Sequence, residues 1–277
     1  MFSLVQSLVR IGYERDINIH AAPYDFRKSP LDNQEYVEQL KGLIEMSYGL
    51  NDKQKSILIC HSLGCLYSLN FLNKMTSEWK EKFVDDFISI GAPFGGTVSA
   101  VAAELSGSDF GPRFIELAKT FSSLPFLFPS RIGFNESQPI VQIGDETIGL
   151  NSYEKLFDLS ENPMGYEMFL DSLPFKDRLV HPGIDTTCII GTSQETVERI
   201  VYDDPSLFPF NPRVVTGEGD STVNIGSLRS CTRFGLGSKK RFQLKEFPGK
   251  SHLFMMYQCD VVDFIVGKVV DSLLLKS

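Results

Sequence analysis

Apolar residues along this chain recur with two periods, and their order sketches a set of alternating elements. In "MFSLVQSLVRIGYERD", Phe2, Val5, Leu8, Val9 and Tyr13 stand at helical spacing and predict an amphipathic helix. "INIHAAP" (17–23) reads as a strand running into a turn. A helix over 33–49 follows, with Tyr36, Val37, Leu40, Leu43 and Ile44 on one face and Gly49 as its stop. "KSILIC" (55–60) is a continuous apolar run of the kind buried in a parallel sheet, and residues 63–75 return to helical spacing. "FISI" (87–90), closed by Gly91, "TTCIIG" (186–191) and "KRFQLKEF" (240–247) predict three more strands. "VVDFIVGKVVDSLLL" (261–275) predicts a last helix that tolerates Gly267. Strands separated by helices predict an α/β fold, with a mostly parallel sheet covered on both faces.

The alternation fails between Gly96 and about Asp185, where Phe, Pro, Gly and Ser are frequent, as in "TFSSLPFLFPSRIGF" (120–134). This stretch is expected to be an insertion over the mouth of the sheet. The core is then 1–96 with 185–277, and the cap or lid is 97–184. The triplet Asn135-Glu136-Ser137 inside it is a glycosylation sequon.

Composition narrows the functional classes. The 277 residues, 42% hydrophobic and 22% charged, suit a chain that buries a full core. Acidic residues outnumber basic ones, 35 to 27, for a net charge of −8. That argues against nucleic acid as a partner and against docking on anionic lipid by charge alone. No window approaches the ~18 uninterrupted apolar residues of a membrane span. The first residues lack the basic flank, long apolar stretch and small-residue cleavage site of a signal peptide. The five cysteines (60, 65, 188, 231, 259) form no CxxC or Cys/His cluster, so a zinc site is not expected. Cys60 and Cys65, flanking Ser62, read as small packing residues, and the odd count leaves at least one thiol unpaired.

Candidate chemistry sits where the 55–60 strand stops. A strand, then His61-Ser62-Leu63-Gly64, then a helix is the context of a nucleophile elbow. The turn is so tight that positions two before and two after the serine must be small. Gly64 meets this, and Cys60 stands where glycine is usual. The elbow would aim the Leu63 N–H and the positive end of the helix at a developing oxyanion. The competing reading is an ordinary strand-to-helix turn. A serine nucleophile needs a base and an orienting carboxylate, in the chain order Ser, Asp, His. Of the four histidines, His20 lies inside the expected 17–23 strand and reads as core. The His61 side chain is expected to point away from the neighbouring hydroxyl, and His181 reads as a loop residue in the insertion. His252, between the last strand and the last helix, is the candidate base, since loops there reach the strand ends where open α/β sheets bind ligands. The carboxylate is sought in "GEGDSTVN" (217–224), where Asp220 sits on a Gly-rich turn. A turn-capping role for Asp220, or Asp203 and Asp204 in its place, are the alternatives. Asp25 and Arg27 read as a turn pair supporting a strand end.

The blocks "AAPYDFRKSP" (21–30), "HSLGCLYSLNFL" (61–72), "WKEKFVDDFISIGAPFGGT" (79–97), "GDSTVN" (219–224) and "SHLFM" (251–255) resemble, in order and spacing, the lecithin–cholesterol acyltransferase family. That family includes lysosomal phospholipase A2 and phospholipid:diacylglycerol acyltransferases. The resemblance implies an α/β-hydrolase fold with Ser62 as nucleophile, Asp220 as acid and His252 as base. It implies no metal or organic cofactor, and a cap over an acyl channel. Phe94 is then either a channel-lining or a core side chain. Phe121, Phe126, Leu127 and Phe128 are either a lipid-facing patch on the lid or buried within it. Cys188 and Cys231 fall where the family places a disulfide, which suits an extracellular, lumenal or lysosomal protein. Implied partners are a phospholipid substrate, a membrane or lipoprotein surface bound peripherally, and water, a sterol or diacylglycerol as acyl acceptor. Family members carry a long segment before the helix that opens this chain. It holds the first sheet strands and the loop donating a second oxyanion N–H, and those strands are expected to be missing here. Two other readings follow: a catalytically silent lipid-binding relative, or a hydrolase of soluble esters.

Overall fold

The computed structural model describes residues 1–106 and 115–274. In chain order the elements are α1 (Phe2–Arg10), α2 (Gln34–Leu50), β1 (Ser56–His61), α3 (Leu63–Lys74), α4 (Ser77–Phe83), β2 (Val84–Ile90), α5 (Val98–Ser106), α6 (Ile115–Ala118) and α7 (Ser123–Phe126). There follow β3 (Val141–Ile143), β4 (Glu146–Ile148), α8 (Tyr153–Leu159), α9 (Pro163–Lys176), β5 (Asp185–Thr192), β6 (Gln194–Tyr202), β7 (Arg213–Gly219), α10 (Ile225–Arg229), β8 (Phe242–Pro248) and α11 (Cys259–Leu274).

The expected strands at 55–60, 87–90, 186–191 and 240–247 become β1, β2, β5 and β8, a wholly parallel sheet in the order β1-β2-β5-β8. On one face, Leu4 and Leu8 of α1 and Val261, Val262, Ile265 and Val269 of α11 cover Ile88, Ile90 and Ile189. On the other, α2, α3 and α4 pack through Tyr36, Leu40, Leu69, Phe71 and Trp79 against Cys60 and Phe87. The starts of α2 and α4 are fixed by side-chain caps: Asn33 accepts from Tyr36 N at 3.3 Å and Thr76 from Trp79 N at 3.2 Å.

The strand expected at 17–23 does not form. Its surroundings hold only an isolated bridge between Arg15 and Ile19. A strand is stable only with a ladder partner, and here the run ends on helices instead. Tyr24 docks between Tyr36 of α2 (ring centroids 6.0 Å apart) and Tyr67 of α3 (4.2 Å), while the Tyr67 hydroxyl donates to Lys28 O at 2.8 Å. His20 is accordingly not a strand residue in the core; it is partly exposed and its Nε2 lies 3.0 Å from Ile17 O.

A second sheet, β4-β3-β6-β7, was not anticipated from the pattern. β3 pairs parallel with β6, and β6 antiparallel with β7. Its ladder joins the inserted stretch (β3, β4) to residues after 185 (β6, β7), so hydrogen bonds cross the expected boundary at 184. The inserted stretch shares a core with Ile200 and Tyr202 of β6. Phe128 stacks on Phe157 (5.2 Å, 8° between planes) and meets Tyr153 edge-on, and the buried Lys176 Nζ donates to Phe128 O at 2.6 Å. Phe126 and Phe128 are buried, at 2% and 0% exposure, so they are packing residues and not a lipid-facing patch. Partly buried Phe121 meets the exposed Phe26 edge-on at 6.0 Å, and Leu127 is also partly buried. Phe94 is buried against Phe234, with centroids 5.3 Å apart. Truncating Phe128 to alanine removes the centre of this cluster and is expected to cost about 3–5 kcal/mol, read from the urea midpoint. Among the described residues no helix is long and apolar enough to cross a membrane, and no group of His, Cys, Asp and Glu could hold a metal ion.

Candidate active site

Three loops at the carboxyl ends of strands supply the site. The first follows β1. Ser62 occupies the turn into α3 with φ 56° and ψ −133°, a left-handed conformation that non-glycine residues rarely adopt and that costs about 1–3 kcal/mol. Two backbone bonds hold it: Ser62 N donates to Ile90 O at 2.9 Å, and Cys65 N to Ser62 O at 2.9 Å. The turn lifts the hydroxyl off the strand end, and Leu63 begins α3. The first N–H groups of a helix have no carbonyl partner within it, so that of Leu63 is suited to an anionic oxygen.

The second loop follows β7. Asp220 is fully buried. Its Oδ1 accepts from Thr222 N (3.1 Å) and Val223 N (2.8 Å), which leaves Oδ2 for the third loop, after β8. There His252, 2% exposed, places Nδ1 2.7 Å from Asp220 Oδ2 and Nε2 2.8 Å from Ser62 Oγ. Because the carboxylate only accepts, the proton sits on Nδ1, and Nε2 is free to accept from the serine hydroxyl. His252 N also donates to Asp220 O at 2.6 Å, tying the two loops by main chain as well as side chain. The residues singled out in the sequence, Ser62, Asp220 and His252, thus form one continuous hydrogen-bonded line. The rivals do not join it: Asp203 pairs with Arg213 (3.1 Å) and Asp204 caps Ser206 N (2.9 Å). His181 sits in the loop before β5, its Nδ1 accepting from Gly183 N at 2.8 Å. Asp25 and Arg27 form a bidentate pair on their turn, both bonds 2.8 Å.

Two supports of the line carried little sequence signal. Gly91, after β2, has φ +57°, and a Cβ there would stand 3.1 Å from His252 Nδ1 and 3.4 Å from Asp220 Oδ2. The imidazole and carboxylate lie directly on its bare backbone. Its place just after a buried strand was visible; the need for a missing side chain was not. The other is His61. Its Nε2 donates to His252 O at 2.9 Å, and the two rings lie 4.7 Å apart. The side chain therefore grips the base's backbone and not the serine.

Burial first, and His252 second, lower the His61 imidazole to about 4, against opposition from the His252 carbonyl and the Asp220 carboxylate. Its folded pKa lies below the unfolded value near 6.5, so between those pH values the unfolded chain binds more protons. The stability tied to neutral His61 is complete above pH 6.5 and is lost as pH falls toward 4. Between pH 7 and pH 5 the wild type should lose about 2 kcal/mol more than His61→Gln, read as the difference in urea-unfolding free energies.

Both cysteine pairs are oxidised. Cys188 of β5 is bonded to Cys231, as the resemblance implied. Cys60 is bonded to Cys65, which corrects the reading of these two as packing residues. The strand end and first helical turn face each other across the elbow, with Cα atoms 4.9 Å apart, within bonding range for cysteine. Cys259 is a free, exposed thiol.

The family model for lecithin:cholesterol acyltransferase matches residues 1–168, which include Ser62. The chain belongs to the lecithin:cholesterol acyltransferase family. It is 33% identical over 265 residues to the phosphatidylcholine-sterol acyltransferase of Gallus gallus, covering 93% of this chain and 63% of that protein. It is 30% identical over 270 residues to the lysosomal phospholipase A and acyltransferase of Homo sapiens, covering 95% and 65%. The chain thus spans a little under two thirds of the length of these curated relatives. Among solved structures, the crystal structure of the Tle4–Tli4 complex superposes with a TM-score of 0.64 at 15% identity, over 92% of this chain and 68% of that one. At that identity the likeness speaks for the fold. The parallel sheet, the serine on a strand-to-helix elbow and the family membership make this an α/β-hydrolase fold.

Proposed function

We propose that this member of the family transfers acyl chains from phospholipid through a covalent intermediate on Ser62. The observation that supports the reading most is the unbroken line Ser62 Oγ, His252 Nε2, His252 Nδ1, Asp220 Oδ2, with contacts of 2.8 and 2.7 Å. His252 Nε2 takes the hydroxyl proton as Oγ attacks the ester carbonyl, and Asp220 stabilises the imidazolium that results. The negative oxygen is met by the N–H of Leu63. Collapse breaks the ester C–O bond, Nε2 returns its proton to the leaving oxygen, and lysophospholipid departs. Water or a lipid alcohol, either a sterol or diacylglycerol, then gives its proton to His252 Nε2 and attacks the acyl carbonyl; the bond to Ser62 Oγ breaks and Nε2 returns the proton to that oxygen. This chain's own residues supply every proton transfer, and no cofactor enters the scheme.

The names of the relatives, a phosphatidylcholine-sterol acyltransferase and a lysosomal phospholipase A and acyltransferase, support this substrate class. Two buried disulfides favour an oxidising setting, extracellular or lumenal, with peripheral contact at a lipid surface. We assign the cap to 97–184 and the hydrolase core to the rest. The test is acyl release from phosphatidylcholine vesicles, with and without sterol or diacylglycerol, beside turnover of a soluble ester. The reading expects vesicle turnover well above that of Ser62→Ala. Turnover of the soluble ester alone would make the protein a soluble-ester hydrolase, and a folded chain silent on both substrates would make it a lipid-binding relative.

A further inference from the structure

The bond between Cys60 and Cys65 lies around the reactive serine itself. Cys60 is the penultimate residue of β1 and Cys65 lies in the first turn of α3, so the bridge spans the elbow that carries Ser62 and Leu63. Both are buried, at 5% and 0% exposure, and their sulfurs lie 3.5 Å and 3.9 Å from the carbonyl oxygens of Ile88 and Ile90 on the neighbouring strand. The turn inside the bridge is strained at Ser62, and strained turns persist only where their surroundings over-determine them. Here a covalent link adds to the two backbone bonds. The other bridge, Cys188–Cys231, joins residues 43 apart in sequence. A long closed loop constrains the unfolded chain more than a short one, so that bridge is the one suited to global stability. The short one constrains the elbow.

We propose that the Cys60–Cys65 disulfide is a positioning staple for the nucleophile. Oxidised, it keeps Ser62 Oγ in line with His252 and the Leu63 N–H facing the oxyanion; reduced, it lets the turn relax and slows acylation. This rests on the reading of Ser62 as nucleophile. The redox step is thiol–disulfide exchange. A thiolate of a small dithiol attacks one sulfur and the Sγ–Sγ bond breaks. The second thiol of the reagent then closes its own ring, leaving protonated Cys60 and Cys65 and a cyclic disulfide. Glutathione disulfide reverses it. Because both sulfurs are buried, exchange requires the elbow to open and is slow in the closed fold.

The experiment combines mapping with labelling on the full chain. Denaturing alkylation without reductant, followed by peptide mass mapping, is expected to return a Cys60–Cys65 linked pair and alkylation at Cys259 alone. The rate at which a fluorophosphonate probe labels Ser62 is then followed across a dithiothreitol series, with each bridge quantified. Labelling is expected to slow at least tenfold as the Cys60–Cys65 pair opens, with unchanged circular dichroism, and to recover on reoxidation with glutathione disulfide. Cys60→Ala/Cys65→Ala should label slowly and ignore the reductant. Should that variant not fold, the wild-type series alone decides. Labelling at full rate with the pair unbridged overturns the staple while leaving the nucleophile intact, as does a loss that tracks opening of Cys188–Cys231. Absence of labelling in the bridged, folded protein defeats the reading of Ser62 and the staple with it.

Discussion

Asp220→Asn is expected to lower the turnover number by about 10,000-fold while leaving the fold and the Michaelis constant nearly unchanged. The amide can keep its oxygen where Oδ1 accepts from Thr222 N and Val223 N. Its NH2 group then faces His252 Nδ1, where the carboxylate now accepts. Two donors cannot share that contact, so the imidazole must carry its proton on Nε2 instead. In that tautomer it can no longer accept from the Ser62 hydroxyl. Asp220 is fully buried and already satisfied, so the variant keeps its volume and most of its bonds. Steady-state kinetics on vesicles, with a urea-unfolding control, measure the effect. A drop of less than about tenfold would remove Asp220 from the proposed mechanism.

Gly91→Ala is the second large effect. The residue adopts φ +57°, and its added methyl would press on His252 Nδ1 and Cε1 at 3.1 and 3.2 Å. The backbone cannot turn aside, because Gly91 N donates to Ile189 O at 2.8 Å in the middle of the sheet. The imidazole must therefore yield by a few tenths of an ångström, away from Asp220 and out of line with Ser62. A misplacement of about 1 Å costs about 100-fold in rate, and that sets the ceiling of the loss expected from this smaller shift. The methyl also pays the strain of a left-handed alanine, about 1 kcal/mol. Kinetics and thermal unfolding of the variant separate the two effects: the rate loss should far exceed what the small stability loss explains.

The site was more legible than the architecture around it. Ser62, Asp220 and His252 each stand on a short polar interruption after an apolar or alternating strand, and such interruptions survive in a one-dimensional pattern. β6 and β7 did not. "QETVERIVY" and "RVVTGEG" carry charges on their exposed faces and pair with each other, "QETVERIVY" also with β3, so neither shows the continuous apolar run of a buried parallel strand. The 17–23 run fails in the opposite direction: it has strand composition but no ladder beside it, and the chain continues into Tyr24, which packs on Tyr36 and Tyr67. Strand propensity reports fitness for a pleated surface and not the presence of a neighbour. In the sequence Cys60 reads as a small residue, because spacing alone cannot show that it faces Cys65 across the elbow. The burial of Phe126 and Phe128 depended on cap helices whose faces the aromatic-rich sequence did not order.

Rapid quenching of the protein with phosphatidylcholine vesicles, followed by peptide mass mapping, tests the central claim most directly. The account predicts an acyl ester on the peptide carrying Ser62, abundant before turnover ends and lost faster when an alcohol acceptor is present in the vesicles. Release of lysophospholipid with Ser62 unmodified at every time, or with the acyl group on another residue, would contradict it.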